Sequence, residues 1–205
     1  MKIKLCGVTS VEDALLCADS GADIIGLIFY PGSRRCVTAQ TAVEISVAIN
    51  GRVELAGVFV DEQPDAVRKT AETLGLDYLQ FHGKESPEYC AGFAGEYKII
   101  KVLFPENQDI SSLKALYDVD FFLFDVLQNS KEKDSDKILD VSSIREQIDD
   151  KCFVSGGITP ENISDVLSGI NAYAVDIARG SEFCPGKKDL DKVRRLINIV
   201  KKAEL

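Results

Sequence analysis

The pattern of apolar and polar positions divides this 205-residue chain into short strand-like segments that alternate with longer helix-like segments. The strand-like segments are apolar runs rich in β-branched or aromatic residues, and amphipathic helical patterns fill the gaps between them. We predict eight strands, near residues 2–8, 24–30, 53–60, 78–83, 97–104, 121–126, 152–158 and 172–178. We predict eight helices, near residues 11–20, 39–50, 64–75, 87–94, 109–117, 142–148, 160–168 and 188–202.

The composition of the strands indicates the type of sheet. Runs such as Ile24 to Phe29 and Phe121 to Phe124 are apolar almost throughout, which is typical of parallel strands that helices cover. Eight such βα units close most naturally into a (β/α)8 barrel. An open doubly wound sheet is the alternative, but the G-x-G-x-x-G typical of that fold is absent after the first strand. We therefore predict an α/β fold, a TIM barrel, in one compact domain over residues 1–205.

Local signals mark where the helices start and where the strands begin. Thr9 and Glu12 are spaced as a capping box, and Ser86-Pro87 and Thr159-Pro160 each place a capping residue before a proline at the first helical position. A turn phrase that ends in a polar residue also recurs before four strands, which indicates repeated αβ connections. Its four copies are Gly21-Ala22-Asp23, Gly75-Leu76-Asp77, Asp118-Val119-Asp120 and Gly169-Ile170-Asn171.

Composition and charge narrow the class of protein. Hydrophobic residues make up 45% of the chain and charged residues 28%, which is ordinary for a globular protein. The net charge of −9 argues against nucleic acid or an anionic membrane as the main partner. Without a signal-peptide pattern or a long apolar run, we expect a cytoplasmic protein. Whether it is a monomer or a homodimer is left open by the sequence. The six cysteines lie far apart without a C-x-x-C pair, so we expect no metal. In a cytoplasmic chain of this size we expect reduced thiols rather than disulfides.

Candidate chemistry lies at the predicted C-terminal ends of the strands, where barrels of this class carry their active sites. Cys6 ends the first strand, and it is either a thiol presented at the rim or a small buried hydrophobe. Asp125 ends the sixth strand after four apolar residues. Desolvation there would raise the pKa of this carboxyl and suit a general acid; the alternative is that Asp125 caps the following turn.

Other strand ends supply glycines and cations. Gly156-Gly157 and Gly180-Ser181 follow the last two strands and predict a site where backbone N–H groups hold a phosphate. His82, the only histidine, ends the fourth strand and is either structural or functional. Arg34 and Arg35 follow the second strand; they are either a solvated surface pair, or one of them holds a carboxylate by a two-pronged contact. The charged run 131–137 predicts a solvated loop without chemistry of its own.

Together these residues resemble the phosphoribosylanthranilate isomerase family, (β/α)8 enzymes of tryptophan biosynthesis. The matching stretches include Lys4 to Thr9, Gly21 to Pro31, Gly57 to Val60, Leu79 to Gly83, Ser155 to Gly157, Ala174 to Asp176 and Pro185 to Asp189. The resemblance implies an Amadori rearrangement of N-(5-phosphoribosyl)anthranilate. In that reaction Cys6 is the general base at C2 of the sugar, and Asp125 is the general acid at the ring oxygen.

The resemblance also implies the binding residues. Arg35 would hold the anthranilate carboxylate, and His82 and Asp176 would contact the substrate. The substrate is a small phosphorylated molecule, and the family needs no cofactor and no metal. The phosphate would be held by Gly156, Gly157, Arg179, Gly180 and Ser181.

Three departures from the family pattern keep other functions open. No glycine occurs in Lys133 to Val141, Ala178-Arg179-Gly180 replaces the usual Ser-Ser-Gly, and Cys36 replaces an aromatic residue. One alternative is a divergent relative that isomerises another phosphorylated aminosugar. The other is a non-catalytic barrel that only binds a phosphorylated ligand.

Overall fold

A closed barrel of eight parallel strands forms the centre of the molecule, as predicted. The computed structural model describes residues 1–105, 109–126 and 138–203. Each strand pairs with the next in sequence, and the last pairs with the first. The strands are β1 (Lys2–Cys6), β2 (Ile24–Ile28), β3 (Glu54–Phe59), β4 (Tyr78–Phe81), β5 (Lys98–Leu103), β6 (Phe121–Phe124), β7 (Cys152–Val154) and β8 (Ala174–Ile177).

Eight helices alternate with these strands, which confirms the predicted (β/α)8 fold. They are α1 (Val11–Ser20), α2 (Ala39–Ile49), α3 (Pro64–Leu74), α4 (Pro87–Ala91), α5 (Ile110–Leu116), α6 (Val141–Ile144), α7 (Ile163–Leu167) and α8 (Leu190–Lys202). None of the helices among the described residues is long and apolar enough to cross a membrane. The charged loop predicted at 131–137 lies outside the described residues.

At two helix starts the capping residue differs from the one predicted. The cap of α1 is Ser10, whose extended backbone lets its side chain accept the N–H of Asp13. Thr9 instead donates its hydroxyl to the Gly186 carbonyl at 2.6 Å. The helix predicted from 160 begins at Ile163, because the preceding residues form a turn in which the Asn162 side chain accepts the Thr159 N–H at 2.8 Å. The predicted start at Ser86-Pro87 is confirmed.

A short hairpin follows β8 that the hydrophobic pattern did not predict. A 3-10 turn over Arg179–Ser181 leads into two antiparallel strands, β9 (Glu182–Cys184) and β10 (Lys187–Lys188). The last helix therefore starts at Leu190, two residues later than predicted. The backbone N–H of Lys188 donates to the buried Asp13 carboxylate at 2.9 Å, so the hairpin is fastened to α1 beside the end of β1.

The recurring phrase before the strands forms αβ connections, as predicted, and its aspartates have a defined role. In three copies the carboxylate accepts the backbone N–H near the start of the preceding strand. Gly21 and Gly75 end their helices in the left-handed conformation, which glycine adopts without steric cost. The three pairs are Asp23 with Ile3, Asp77 with Leu55 and Asp120 with Ile99, each at 2.8 Å.

The barrel interior is apolar at mid-height and polar at both ends. Residues such as Ile24, Tyr78, Leu123 and Phe153 form a buried cluster distinct from the one that surrounds the strands. Side chains alternate between the two faces of a strand, so positions two residues farther along from this cluster also point inward. Polar residues occupy several of them, and the C-terminal end of the barrel is consequently lined with ionisable groups.

Candidate active site at the C-terminal end of the barrel

A buried lysine is central to this end of the barrel. Lys4 of β1 is fully buried and donates to Gln80 Oε1 at 2.7 Å and to Asp176 Oδ1 at 2.9 Å. Burial lowers the pKa of Lys4, but the Asp176 carboxylate and the Cys6 side chain outweigh burial, so the pKa is raised. A charged Lys4 therefore joins β1, β4 and β8. Sequence reasoning assigned it no role, although a lysine two residues before Cys6 on one strand shares its face.

Cys6 stands at the end of β1, as predicted, but its side chain is packed beneath the surface. The residue is only 5% exposed. Gly26 on β2 leaves room for it, because a Cβ at that position would lie 2.6 Å from Cys6 Sγ. Burial raises the pKa of the thiol, and the ammonium groups of Lys4 and Lys188 offset this only in part. Cys6 is therefore a thiol at neutral pH in the ligand-free protein.

Asp125 and His82 face each other across the same opening. His82 Nε2 lies 3.7 Å from Asp125 Oδ2, and the aspartate side chain is 17% exposed. Asp125 Oδ1 accepts the N–H of Val126 at 2.8 Å, while its other oxygen faces the histidine. Burial, with Lys4 and Lys101, lowers the pKa of His82 to about 4. The imidazole is therefore neutral near pH 7.

A second buried ion pair holds the loop that follows His82. Lys101 of β5 donates to Glu85 Oε2 at 2.7 Å and to the Gly83 carbonyl at 2.8 Å. Glu85 in turn accepts the N–H groups of Asp61 at 2.9 Å and of Gly83 at 3.0 Å. Because both charged side chains are buried and mutually paired, the loops after β3 and β4 are fixed together.

Arg35 makes a two-pronged contact with a carboxylate, but the carboxylate belongs to the protein. Its Nε and Nη2 each lie 2.8 Å from an oxygen of Glu182 on β9. Glu182 is 2% exposed and the Arg35 side chain 14%. Such a pair holds the guanidinium plane in one orientation. Arg35, which was predicted to bind a substrate carboxylate, is thus held at the rim by the contacts of its Nε and Nη2 with Glu182.

The glycine-rich ends of the last two βα loops lie against each other. Gly156 and Gly157 have φ of 93° and 72°, a left-handed backbone that favours glycine. A side chain at Gly180 would collide with the Ile158 carbonyl oxygen. Arg179 opens the 3-10 turn in the second loop. The structure therefore brings together the residues predicted to hold a phosphate.

Ser181 is the exception, because its donors serve the loop itself. Its N–H and its hydroxyl both donate to the Ala178 carbonyl, at 3.1 Å and 2.7 Å. The hydroxyl also accepts from Lys188 Nζ at 3.0 Å, and Lys188 reaches the Cys6 carbonyl at 2.7 Å. Burial lowers the pKa of Lys188 although Glu182 opposes the shift. Sequence reasoning missed Lys188, which ties the loop after β8 to the end of β1.

The rim thus gathers a buried thiol, two carboxylates, a neutral imidazole and oriented cations at the strand ends. Within residues 1–105, 109–126 and 138–203, no group of three or more His, Cys, Asp or Glu side chains could hold a metal ion. Perturbed ionisable groups concentrated in this part of a parallel barrel are the mark of a catalytic site. Fold and site together define a (β/α)8-barrel enzyme.

Comparison with known proteins gives the particular family. The family model described as N-(5'phosphoribosyl)anthranilate (PRA) isomerase matches residues 3–199. Isomerases of that name from Geobacter sp. (strain M21) and Rubrobacter xylanophilus are 35% and 37% identical, each over 98% of both chains. The chain belongs to the N-(5'-phosphoribosyl)anthranilate isomerase family and is an isomerase of tryptophan biosynthesis.

Solved structures agree with this assignment. The phosphoribosyl anthranilate isomerase of Thermotoga maritima is 32% identical and superposes with a TM-score of 0.88, over 98% of this chain and 99% of that one. A second isomerase structure, with a TM-score of 0.84 and 32% identity over the same shares, is a complex with reduced 1-(o-carboxyphenylamino)-1-deoxyribulose 5-phosphate. A third is described as monomers generated from the dimeric T. maritima enzyme (TM-score 0.83, 32% identity over 98% of each chain).

Proposed function

We propose that Cys6 and Asp125 are the base and the acid with which this enzyme converts N-(5'-phosphoribosyl)anthranilate to 1-(2-carboxyphenylamino)-1-deoxyribulose 5-phosphate. The observation that carries the proposal is their position, at the ends of β1 and β6 on one rim. Each has a polar neighbour suited to its role, since Lys4 stabilises a thiolate and His82 faces the carboxyl. No cofactor takes part in this scheme.

The two groups act in sequence on the sugar. Asp125 gives its proton to the furanose ring oxygen, the C1–O bond breaks, and the nitrogen lone pair forms a C1=N bond. The Cys6 thiolate then takes the proton from C2, which gives an enolamine that tautomerises to the ketone. Because burial raises the pKa of Cys6, we expect kcat/KM to rise with pH as the thiol ionises.

The remaining site residues bind the substrate in this proposal. Arg35, oriented by Glu182, contacts the anthranilate carboxylate. Asp176 and His82 contact the sugar and its nitrogen. The adjoining loops after β7 and β8 hold the phosphate with Gly156, Gly157, Arg179 and Gly180, and Ser181 shapes this cradle through its bonds within the loop.

The direct test is turnover of N-(5'-phosphoribosyl)anthranilate by purified protein, with Cys6→Ala and Asp125→Ala as the variants. We expect each to lower kcat/KM by about 10²- to 10⁴-fold, the usual contribution of a positioned acid or base. The matched control is Cys90→Ala, which removes a thiol buried in α4 and is expected to leave kcat/KM within about threefold. Full activity in Cys6→Ala would overturn the assignment of the base.

Complementation separates this substrate from the alternatives. A strain that lacks the isomerase is expected to grow without tryptophan when it carries the wild-type chain, and to fail with Cys6→Ala. Failure of the wild type, with turnover of a different phosphorylated aminosugar, would establish the divergent relative. Whether the enzyme is a monomer or a homodimer is measured by analytical ultracentrifugation of the same preparation.

A further inference from the structure

Gln80 lies between two charged or polar partners inside the barrel. Its side chain belongs to β4 and the residue is 1% exposed. One end of the amide, Oε1, is 2.7 Å from Lys4 Nζ, and the other end, Nε2, is 3.1 Å from His82 Nδ1. A buried chain of hydrogen bonds therefore runs from Lys4 through Gln80 to the imidazole.

The direction of each hydrogen bond from Lys4 through Gln80 to His82 follows from the chemistry of the Lys4 ammonium group. An ammonium group only donates, so the Gln80 atom that faces Lys4 must be the carbonyl oxygen. The amide nitrogen then faces His82 and donates to Nδ1, which must accept. Because the imidazole is neutral near pH 7, its single proton is on Nε2. The charge on Lys4 thus determines which tautomer of His82 the protein contains.

His82 Nε2 is the ring atom that faces Asp125, at 3.7 Å from Oδ2. We propose that Gln80 is a positioning residue that fixes His82 as the Nε2–H tautomer, so that His82 presents an N–H donor to the Asp125 carboxylate. This inference rests on the proposed function, in which Asp125 is the general acid.

The N–H donor of His82 matters in the step in which Asp125 gives up its proton. When Asp125 passes its proton to the furanose oxygen, a negative charge is left on the carboxylate. His82 Nε2–H faces that charge and stabilises it electrostatically while the imidazole keeps its own proton, so Asp125 is the stronger acid. In the opposite tautomer the lone pair of Nε2 would face Asp125. This lone pair would disfavour the negative charge on the carboxylate.

Nitrogen-15 NMR tests the tautomer directly, because His82 is the only histidine in the chain and gives a single set of imidazole signals. At pH 7 we expect the wild-type protein to carry its proton on Nε2. The informative variant is Gln80→Glu, which keeps an acceptor for Lys4 but replaces the amide donor by an oxygen that accepts. We expect the proton in this variant to appear on Nδ1 and kcat to fall about 10- to 100-fold.

Two replacements of the histidine supply a second, independent readout. The amide nitrogen of His82→Gln lies near the position of Nε2, whereas that of His82→Asn lies near Nδ1. We expect the glutamine variant to retain about tenfold more kcat than the asparagine variant, with both folded by circular dichroism. Equal activities, or wild-type kcat in Gln80→Glu, would overturn the proposal.

The NMR result separates the inference from the proposed function. An active wild-type enzyme with its proton on Nδ1 refutes the role of Gln80 and leaves the proposed function standing. A wild-type protein with the proton on Nε2 that does not turn over the substrate refutes the proposed function, and the assignment of the tautomer to Gln80 stands.

Discussion

Both ends of the barrel carry buried or half-buried ionisable groups. The two sets differ in how their charges are paired and in the direction in which burial leaves their pKa values. At the N-terminal end, Glu54 accepts from Lys2, from Lys98 at 2.7 Å and from the Tyr78 hydroxyl at 3.1 Å. Tyr78 also shares a hydrogen bond of 2.9 Å with Tyr173. Burial raises the pKa of Glu54, but the hydrogen bonds from both lysines outweigh it and lower the pKa. Glu54, Lys2 and Lys98 therefore neutralise one another at this end.

At the C-terminal end, burial shifts the pKa values of several groups toward their neutral forms. Burial raises the pKa of Cys6 and lowers that of Lys188, and burial with nearby cations lowers that of His82 to about 4. Burial thus disfavours the charged forms of these groups, and perturbed pKa values of this kind concentrate at functional sites. The contrast teaches that the N-terminal end serves only the fold, through half-exposed ion pairs, whereas the C-terminal end buries its charges and retains reactive groups for chemistry.

The largest difference is expected between two lysines of β1. Lys4→Met removes the partner of the buried Asp176 carboxylate and leaves it uncompensated, so we expect a loss of about 3 kcal/mol in the free energy of unfolding. Lys2→Met removes a partner from the half-buried Glu54 and is expected to cost less than about 1 kcal/mol. Urea unfolding at pH 7 measures both. Equal losses would abolish the distinction between the two ends.

The second prediction concerns pH. In the unfolded chain His82 takes up a proton near pH 6.5, but in the folded protein it does so only near pH 4. The unfolded state therefore binds more protons between these values, and stability falls as the pH falls through this window. We expect the protein to be about 2 kcal/mol less stable at pH 5 than at pH 7.5. Urea unfolding at the two pH values measures the difference, and in His82→Asn it should largely disappear.

The smallest effect is expected for Glu54 itself. The folded pKa of Glu54 is lowered, so its contribution is present above the ordinary pKa of 4.5 and is lost as the pH falls through the folded value. Glu54→Gln is expected to lower the free energy of unfolding by about 1 kcal/mol at pH 7 and to leave kcat/KM unchanged. A fall in kcat/KM without a loss of stability would contradict the assignment of this end to stability.

The features that were predicted best are those that depend on residues close together in the sequence. The helix predicted at 11–20 is Val11–Ser20, and the one at 64–75 is Pro64–Leu74, because hydrophobic periodicity and capping are local. The positions of Cys6, His82 and Asp125 at strand ends followed from the same periodicity. Strand ends were predicted too long where a buried apolar residue belongs to the following loop: β7 ends at Val154 rather than near 158, and Ile158 lies in the loop.

The partners of these residues could not be predicted in the same way. Lys4 and Gln80 are 76 positions apart, and Arg35 and Glu182 are 147 apart. Such pairs form only when the barrel closes, and nothing in the hydrophobic pattern specifies which polar side chains then meet. The burial of Cys6 has the same origin, since Gly26 of the neighbouring strand supplies the space for its sulfur.

The aspartates of the αβ connections have a consequence for how the chain can be divided. Each joins an odd-numbered strand to the even-numbered strand that follows it, through the pairs of Asp23 with Ile3, Asp77 with Leu55 and Asp120 with Ile99. A fragment of two strands that begins at β1, β3 or β5 therefore contains its own clamp, whereas one that begins at β2 or β4 contains none of these three. For exchange of fragments between related barrels, the natural joints lie after β2, β4 and β6.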